Sequence, residues 1–106
     1  MPKVFVSGRL VTHPDSLAGV LDLLAELIEH VCAHEPGTEQ YVVSQNVAQP
    51  HELWLHEVYT DHDAFVAHGH HPTVRALSGQ INAVLAEIQL ARTLTVLAKP
   101  DSLREP

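Results

Sequence analysis

His68 and Glu57 are the two side chains of this sequence best suited to move a proton. An imidazole changes its charge near pH 6.5, so a histidine at the edge of an apolar pocket can accept the proton of a phenol. Glu57 alternates with Leu55 and Tyr59 in a strand-like segment, which places its charge on an apolar face. A carboxylate there needs a partner or a raised pKa. We therefore predict that His68 is a catalytic base and that Glu57 either orients it or is itself the base.

Each of these two residues also has a purely structural interpretation. His68 could be a core or dimer-contact histidine that is hydrogen-bonded to a carboxylate. Glu57 could form an ion pair with an arginine, and three arginines are candidates: Arg9, Arg75 and Arg92. The sequence leaves both alternatives open.

Candidate substrate-binding residues lie on several predicted elements. Trp54 and His56 share the strand face opposite Glu57, where they form either an aromatic wall for a flat substrate or part of a dimer core. The other predicted lining residues are Tyr41, Phe5, Phe65, His71, Ser7 and Asn46.

Three clustered histidines, His68, His70 and His71, raise the question of a metal site. His70 and His71 are adjacent, so their side chains diverge on a helix. Cys32 is the one cysteine of the sequence, so no thiolate cluster is available to join them. We expect no native metal site.

Length and composition are typical of one globular domain, with 106 residues, 45 % of them hydrophobic and 18 % charged. We assign residues 1–99 to that domain and residues 100–106 to a polar tail. The formal net charge of −7 opposes binding to phosphate backbones, so we expect no nucleic-acid partner. No segment approaches the roughly 20 apolar residues of a membrane span, and the N-terminus does not resemble a signal peptide. We expect no membrane association and a cytoplasmic location.

Residue spacing predicts the element order β-α-β-β-α-β. The first helix follows from apolar residues at three- and four-residue steps over 17–32, and it ends before the turn at 36–37, where the glycine permits a positive φ. A short helix carries His68, and the next begins at Pro72 with an apolar stripe that continues to Ile88. The four strands are predicted at 3–12, 38–47, 52–60 and 89–98.

This order is that of the ferredoxin-like fold, an α+β arrangement in which helices cover one face of a four-stranded antiparallel sheet. The predicted strands carry apolar residues on both faces, so the second face would be exposed to water in a monomer. An exposed apolar face of that size is usually an interface. We therefore predict a symmetric homodimer in which two sheets pack back to back.

The segment from Glu35 to Leu77 resembles the antibiotic biosynthesis monooxygenase (ABM) family of the dimeric α/β-barrel superfamily. That family combines an E-x-G turn, a Y-x-V strand, an E-x-[YW]-x-[DS] strand end, an A-x-x-x-H helix and a proline four residues after the histidine. In this chain those positions are held by Glu35 and Gly37, Tyr41 and Val43, Glu57, Tyr59 and Asp61, Ala64 and His68, and Pro72.

The resemblance implies a cofactor-independent monooxygenase that oxidises a quinol or a polyphenolic, polyketide-like aromatic with O₂. No metal or flavin is required, because a deprotonated phenol is electron-rich enough to react with O₂ directly. The protein has to supply a dry pocket, a base and donors that stabilise the anion. The implied partners are a small aromatic substrate, O₂ and a second copy of the chain.

Two departures from the family pattern bear on the chemistry. Many members carry a histidine directly after the proline, whereas this chain has Thr73, so any role of that histidine in proton transfer is either vacant here or taken by His70 or His71. The haem-degrading branch is disfavoured, because its haem-binding histidine would fall near Ser78 and its pocket asparagine near Gly8.

Two other functions fit the same scaffold. One is a dimer that binds a small molecule without catalysis. The other is an isomerase that resembles the branch processing autoinducer-2. Oxygen consumption with a quinol separates the monooxygenase from both.

Overall fold

The computed structural model describes residues 2–94, which form a four-stranded antiparallel sheet with three helices packed on one face. The sheet order is β2-β3-β1-β4, so β2 and β4 are the edge strands. The elements, in chain order, are β1 (Val4–Thr12), a 3₁₀ turn (Pro14–Ser16), α1 (Leu17–His34), β2 (Thr38–Gln45), β3 (Glu52–Tyr59), α2 (His62–His70), α3 (Pro72–Asn82) and β4 (Leu85–Leu94).

Alternation along the central strands creates the buried face of the sheet. Val4, Val6 and Leu10 of β1 are buried, and their register partners in β3 are buried as well, so that Leu10 lies opposite Leu53. Successive side chains of a strand point to opposite faces, so these residues form one apolar row under the helices. The prediction of a ferredoxin-like antiparallel sheet is confirmed.

The two long helices close the core over that row. The buried residues of α1 recur every three or four positions, as expected of a helix with one apolar stripe, and α3 supplies a matching stripe. Pro72 begins α3, as predicted, because its missing N–H is not needed in the first helical turn. The buried helical residues are Val20, Leu24, Leu27, Val31, Val74, Leu77 and Ile81.

The boundary between α3 and β4 differs from the prediction. The apolar stripe was expected to keep the chain helical to Ile88, but α3 ends at Asn82 and Leu85 already belongs to β4. Leu85 and Ile88 are three residues apart, which suits a helix, yet pairing with β1 sets Ile88 opposite Leu10. The backbone hydrogen bonds of that pairing decide the conformation. Positions 95–98 of the predicted last strand and the predicted tail at 100–106 lie outside the described residues.

Two glycines are required by close packing rather than by unusual backbone angles. A Cβ on Gly8 would lie 2.2 Å from Cδ2 of Leu90, and a Cβ on Gly37 would lie 2.7 Å from Cβ of Ala64. The expectation that Gly37 serves a positive φ is wrong, since its φ lies outside that range. Its role is to let the turn after α1 approach α2 closely.

The second face of the sheet is mixed rather than uniformly apolar. Trp54 is 44 % exposed there, and Val42 of β2 is 49 % exposed. Between such residues Arg9 bridges two carboxylates, with its Nε 2.5 Å from Glu52 Oε1 and its Nη1 2.8 Å from Glu87 Oε2. The apolar face expected from the sequence therefore carries an ion-pair network as well.

Within residues 2–94, the structure contains no helix that is long and apolar enough to cross a membrane.

The close packing of Gly37 on Ala64 predicts that adding a methyl group at position 37 destabilises the fold. Gly37→Ala should lower the free energy of unfolding by about 1–3 kcal/mol, because the backbone has to move away from Ala64. The matched control is Gly79→Ala in α3, where a Cβ meets nothing within 4 Å and alanine should stabilise by about 0.5–1 kcal/mol. Urea unfolding followed by circular dichroism measures both. Equal effects of the two substitutions would contradict the packing described here.

Candidate functional site

A cavity of about 270 Å³ lies between the sheet and the helices. Its walls are mainly apolar and come from β1, α1, β3 and α3, with Val6, Leu24, Leu55 and Ile81 as examples. This volume is just below the 300–1,000 Å³ of typical small-molecule sites. The cavity reaches β4, where the lining residues Ile88 and Leu90 are 43 % and 56 % exposed. The cavity is thus apolar and open at one edge of the sheet.

His68 lines this cavity from the last turn of α2. That helix starts where the Asp61 carboxylate accepts a hydrogen bond from the backbone N–H of Ala64 at 2.8 Å. The imidazole is buried, and its ring centroid lies 5.3 Å from that of Tyr59 and 5.9 Å from that of Tyr41. Of these three rings, Tyr41 and His68 line the cavity, and Tyr59 is fully buried beside them.

The partner of His68 is Glu35, which lies 33 positions earlier in the chain. The imidazole Nδ1 is 2.6 Å from Glu35 Oε1. When the imidazole is neutral and Glu35 is ionised, the carboxylate can only accept a hydrogen bond, so the ring proton lies on Nδ1 and Nε2 keeps its lone pair. No residue in the described part of the chain bonds to Nε2. This is the arrangement in which an imidazole can act as a base, with the carboxylate fixing the tautomer.

The turn after α1 holds Glu35 in place. Its Oε1 also accepts a hydrogen bond from the Thr38 hydroxyl at 2.8 Å, and the carbonyl of Gly37 accepts one from the backbone N–H of Thr60 at 2.9 Å. These bonds, with the close packing of Gly37 on Ala64, bring the turn against the start of α2. Sequence reasoning used Glu35 as a motif residue and a helix end, and it missed this contact. The E-x-G turn of the motif was the signal that could have found it.

Glu57 lies in β3 beside the same cavity and is 6 % exposed. It accepts a hydrogen bond from the Tyr59 hydroxyl. Burial raises the pKa of the Glu57 carboxyl group, although the Tyr59 hydrogen bond and the charge of His68 act in the opposite direction. Glu57 makes no ion pair with an arginine in the region 2–94, and the carboxylate bonded to His68 is Glu35 rather than Glu57. Of the roles predicted for Glu57, that of orienting His68 is therefore wrong.

Two tyrosines next to Glu57 remain neutral hydrogen-bond donors. Burial, followed by the nearby charge of Glu57, raises the pKa of both Tyr41 and Tyr59 well above the usual value. Ionising either phenol beside a carboxylate would be unfavourable. Each hydroxyl therefore remains a hydrogen-bond donor beyond the pH at which a free phenol would ionise.

The structure brings together some of the predicted site residues and separates others. Tyr41, Phe65, His68 and Glu57 all line the cavity. The others do not line it. Ser7 and Trp54 lie on the opposite sheet face, Asn46 donates a hydrogen bond to Glu52, and His71 packs against His30.

Three polar cavity residues were missed at the sequence level. Arg75, Ser78 and Asn82 line the cavity from α3. Their spacing of three and four residues places them on one helical face beside the apolar stripe, which is the signal that could have found them. They provide one charged and two neutral donors opposite the sheet.

No group of three or more His, Cys, Asp or Glu side chains in residues 2–94 is placed to hold a metal ion.

Comparison with known proteins identifies the family to which this chain belongs. A family model described as antibiotic biosynthesis monooxygenase matches residues 3–80. The chain belongs to this family. The matched region contains the E-x-G turn with Glu35 and the A-x-x-x-H helix with His68, so the bonded pair described above is formed by two positions of the ABM motif.

Solved structures share the ABM fold at low identity. A protein from Caulobacter crescentus CB15, provisionally named an antibiotic biosynthesis monooxygenase, is 21 % identical with a TM-score of 0.84, over 91 % of this chain and 92 % of that one. One from Bacteroides thetaiotaomicron VPI-5482, provisionally given the same name, is 20 % identical with a TM-score of 0.84, over 96 % of both chains. One from Deinococcus radiodurans, also provisionally so named, is 20 % identical with a TM-score of 0.81, over 91 % and 95 %. No curated protein sequence matches.

The raised pKa of Glu57 predicts a pH-dependent effect of Glu57→Gln. A carboxyl group whose pKa is higher in the folded than in the unfolded state stabilises the fold while it is protonated. As the pH rises from about 4.5 through the folded-state pKa, the wild type should therefore lose stability relative to Glu57→Gln. Urea unfolding of both proteins at a series of pH values between 4 and 7 measures this difference.

Glu52→Gln is the matched control for that experiment. The hydrogen bond from Arg9, followed by that from Asn46, lowers the pKa of Glu52. The effect then has the opposite sign and a lower pH window, so the control series extends below pH 4. The wild type should gain stability relative to Glu52→Gln as the pH rises towards about 4.5, and the difference should stay constant well above that pH. A constant difference between wild type and Glu57→Gln at all pH values would contradict the burial of an ionisable Glu57.

Proposed function

We propose that this ABM-family protein is a cofactor-independent monooxygenase that oxidises a quinol or a polyphenolic, polyketide-like aromatic with O₂. The observation that carries the proposal is the imidazole of His68, which faces an apolar cavity while Glu35 occupies its Nδ1. A base at the wall of a dry pocket is what phenol deprotonation requires.

Substrate binding relies on the apolar walls of the cavity. Leu24, Leu55 and Ile81 can contact the faces of an aromatic ring, and Phe65 can contact its edge. The volume of about 270 Å³ suits one or two fused rings. Larger substituents would extend through the open side near Ile88.

The first chemical step is proton transfer from a substrate hydroxyl to Nε2 of His68. The imidazolium that forms is stabilised by Glu35, whose charge lies 2.6 Å from Nδ1. Glu35 is a positioning residue in this step, because it acts through His68. The bond that breaks is the phenolic O–H bond, and the electron pair stays on the substrate.

The phenolate is then stabilised by donors around the cavity. Tyr41 keeps its hydroxyl proton, and Arg75 supplies a positive charge from α3. Glu57 holds its proton to a higher pH than a free glutamate, so it opposes the negative charge less than an ordinary carboxylate would.

The reaction with O₂ balances without any other oxidant or reductant. For an anthrone-like substrate it converts a ring CH₂ group and O₂ into a ring C=O group and water. The substrate supplies all four electrons, one oxygen atom enters the product and the other leaves as water. The proton held by His68 returns during formation of that water.

A homodimer in the cytoplasm completes the proposal. Proteins of this family are typically dimers that bind small molecules. The second face of the sheet carries apolar surface on which a second copy can pack, contributed by Phe5, Val42 and Trp54.

The test is oxygen uptake by the purified protein with a reduced naphthoquinol. His68→Gln should lower kcat by about 10²–10⁴-fold, because glutamine can keep a hydrogen bond to Glu35 but cannot accept a proton. The control is His13→Gln, an exposed histidine outside the cavity, which should leave the rate unchanged. Circular dichroism checks that both variants are folded.

Other outcomes of this experiment overturn the proposal. Binding of quinols with no oxygen uptake across a panel would indicate a small-molecule-binding protein. Conversion of a substrate without O₂ would indicate an isomerase that uses the same base. Full activity of folded His68→Gln would refute the role of His68.

A further inference from the structure

A cluster of three histidines lies behind the Glu35–His68 pair, away from the cavity. His30 and His34 are one helical turn apart in α1, and His71 lies at the junction of α2 and α3. The ring centroid of His30 is 4.1 Å from that of His71 and 4.9 Å from that of His34. His34 is exposed and His71 is half-buried, so the cluster leads from the interior to the surface.

Two buried polar atoms lie between this cluster and the Glu35–His68 pair. Neither has a hydrogen-bond partner in the described residues. They are Nε2 of His30 and Oε2 of Glu35, which are 3.5 Å apart. The two side chains are 8 % and 10 % exposed. Buried polar atoms are nearly always hydrogen-bonded, so this pair calls for an explanation. A carboxylate with one oxygen on each of two imidazoles is a suitable bridge for a proton.

We propose that His68, Glu35 and His30 form a proton relay that connects the cavity to solvent through His34 and His71. The relay rests on the proposed function, since it serves the base that deprotonates the substrate. It gives His68 access to solvent protons while a substrate fills the cavity and shields the imidazole.

Each transfer along the relay breaks one O–H or N–H bond and forms another. The substrate proton arrives at Nε2 of His68, and the Nδ1 proton moves to Glu35 over 2.6 Å. The neutral carboxyl group then delivers a proton to Nε2 of His30, after a side-chain movement that shortens the 3.5 Å separation. His30 then passes its other ring proton towards solvent through His34 or His71, which leaves the His68 proton on Nε2. When that proton returns to the product water, a solvent proton comes back along the same relay to Nδ1 of His68 and restores the starting state. No electrons are transferred.

The groups around the relay suit the transfer. The pKa of His30 is lowered, mainly by burial and then by the charges of His71 and His34. Glu35 raises this pKa, and His68 lowers it by a smaller amount. His30 is therefore neutral near pH 7 and can accept a proton.

His71 accepts a hydrogen bond from the backbone N–H of Thr73 at its Nδ1, which leaves its Nε2 for exchange. Tyr41, Tyr59 and Glu57 face His68 from the sheet.

The first test measures proton exchange and needs no activity. The exchange of the His68 Nδ1 proton with solvent is followed by NMR in the wild type, in His30→Gln and in His13→Gln. The relay predicts that His30→Gln slows this exchange by about tenfold or more and that His13→Gln leaves it unchanged. A purely structural role of His30 predicts the reverse, because loosened packing speeds exchange.

The second test uses the oxygen-uptake assay with a reduced naphthoquinol. His30→Ala should lower kcat by about tenfold or more with little change in KM. Added imidazole should restore kcat in His30→Ala, because a free base can take the vacated position, and it should not restore His30→Gln. His13→Gln should match the wild type.

The outcomes separate the relay from the proposed function. If the wild type consumes no O₂ with any quinol, the proposed function fails, and the exchange measurement decides the relay alone. If the wild type is active but His30→Gln exchanges the His68 proton at the wild-type rate or faster, the relay is refuted and the proposed function stands.

Discussion

The hydrogen bond between Glu35 and His68 is the interaction on which the site depends. It joins the turn after α1 to the last turn of α2, and both side chains are about nine-tenths buried. A buried polar atom without a partner is destabilising, so this hydrogen bond satisfies Nδ1 of His68 and Oε1 of Glu35 together. The same bond fixes which imidazole nitrogen carries the proton. The local geometry that stabilises the fold here also determines the chemistry available at the cavity wall.

Glu35 and Glu57, the two carboxylates near His68, lie in different environments. Glu35 is bonded to His68 and Thr38, whereas Glu57 is buried among aromatic and apolar groups with Tyr59 as its hydrogen-bond donor. Burial raises the pKa of the Glu57 carboxyl group. Titratable groups that are held in contrasting environments are a common basis for dividing acid and base roles within one site.

The sequence was informative where one physical signal dominated, and it was insufficient where two signals competed. Alternation at Leu53, Leu55 and Glu57 predicted which side of β3 faces the cavity. At Leu85 and Ile88 the three-residue spacing suits a helix, yet backbone pairing with β1 makes the segment a strand. The contact between His68 and Glu35 spans 33 positions, so no local pattern reveals it. Trp54, Ser7, Asn46 and His71 were candidates by residue type, and tertiary structure separates them from the cavity.

The most direct test of this account is the tautomer of His68. Long-range ¹H–¹⁵N NMR at a pH where the ring is neutral distinguishes a protonated from a bare imidazole nitrogen. We expect a proton on Nδ1 and a bare Nε2, with that preference lost in Glu35→Gln, whose amide can also donate. A proton on Nε2 in the wild type would contradict the account, because His68 could not then receive a substrate proton.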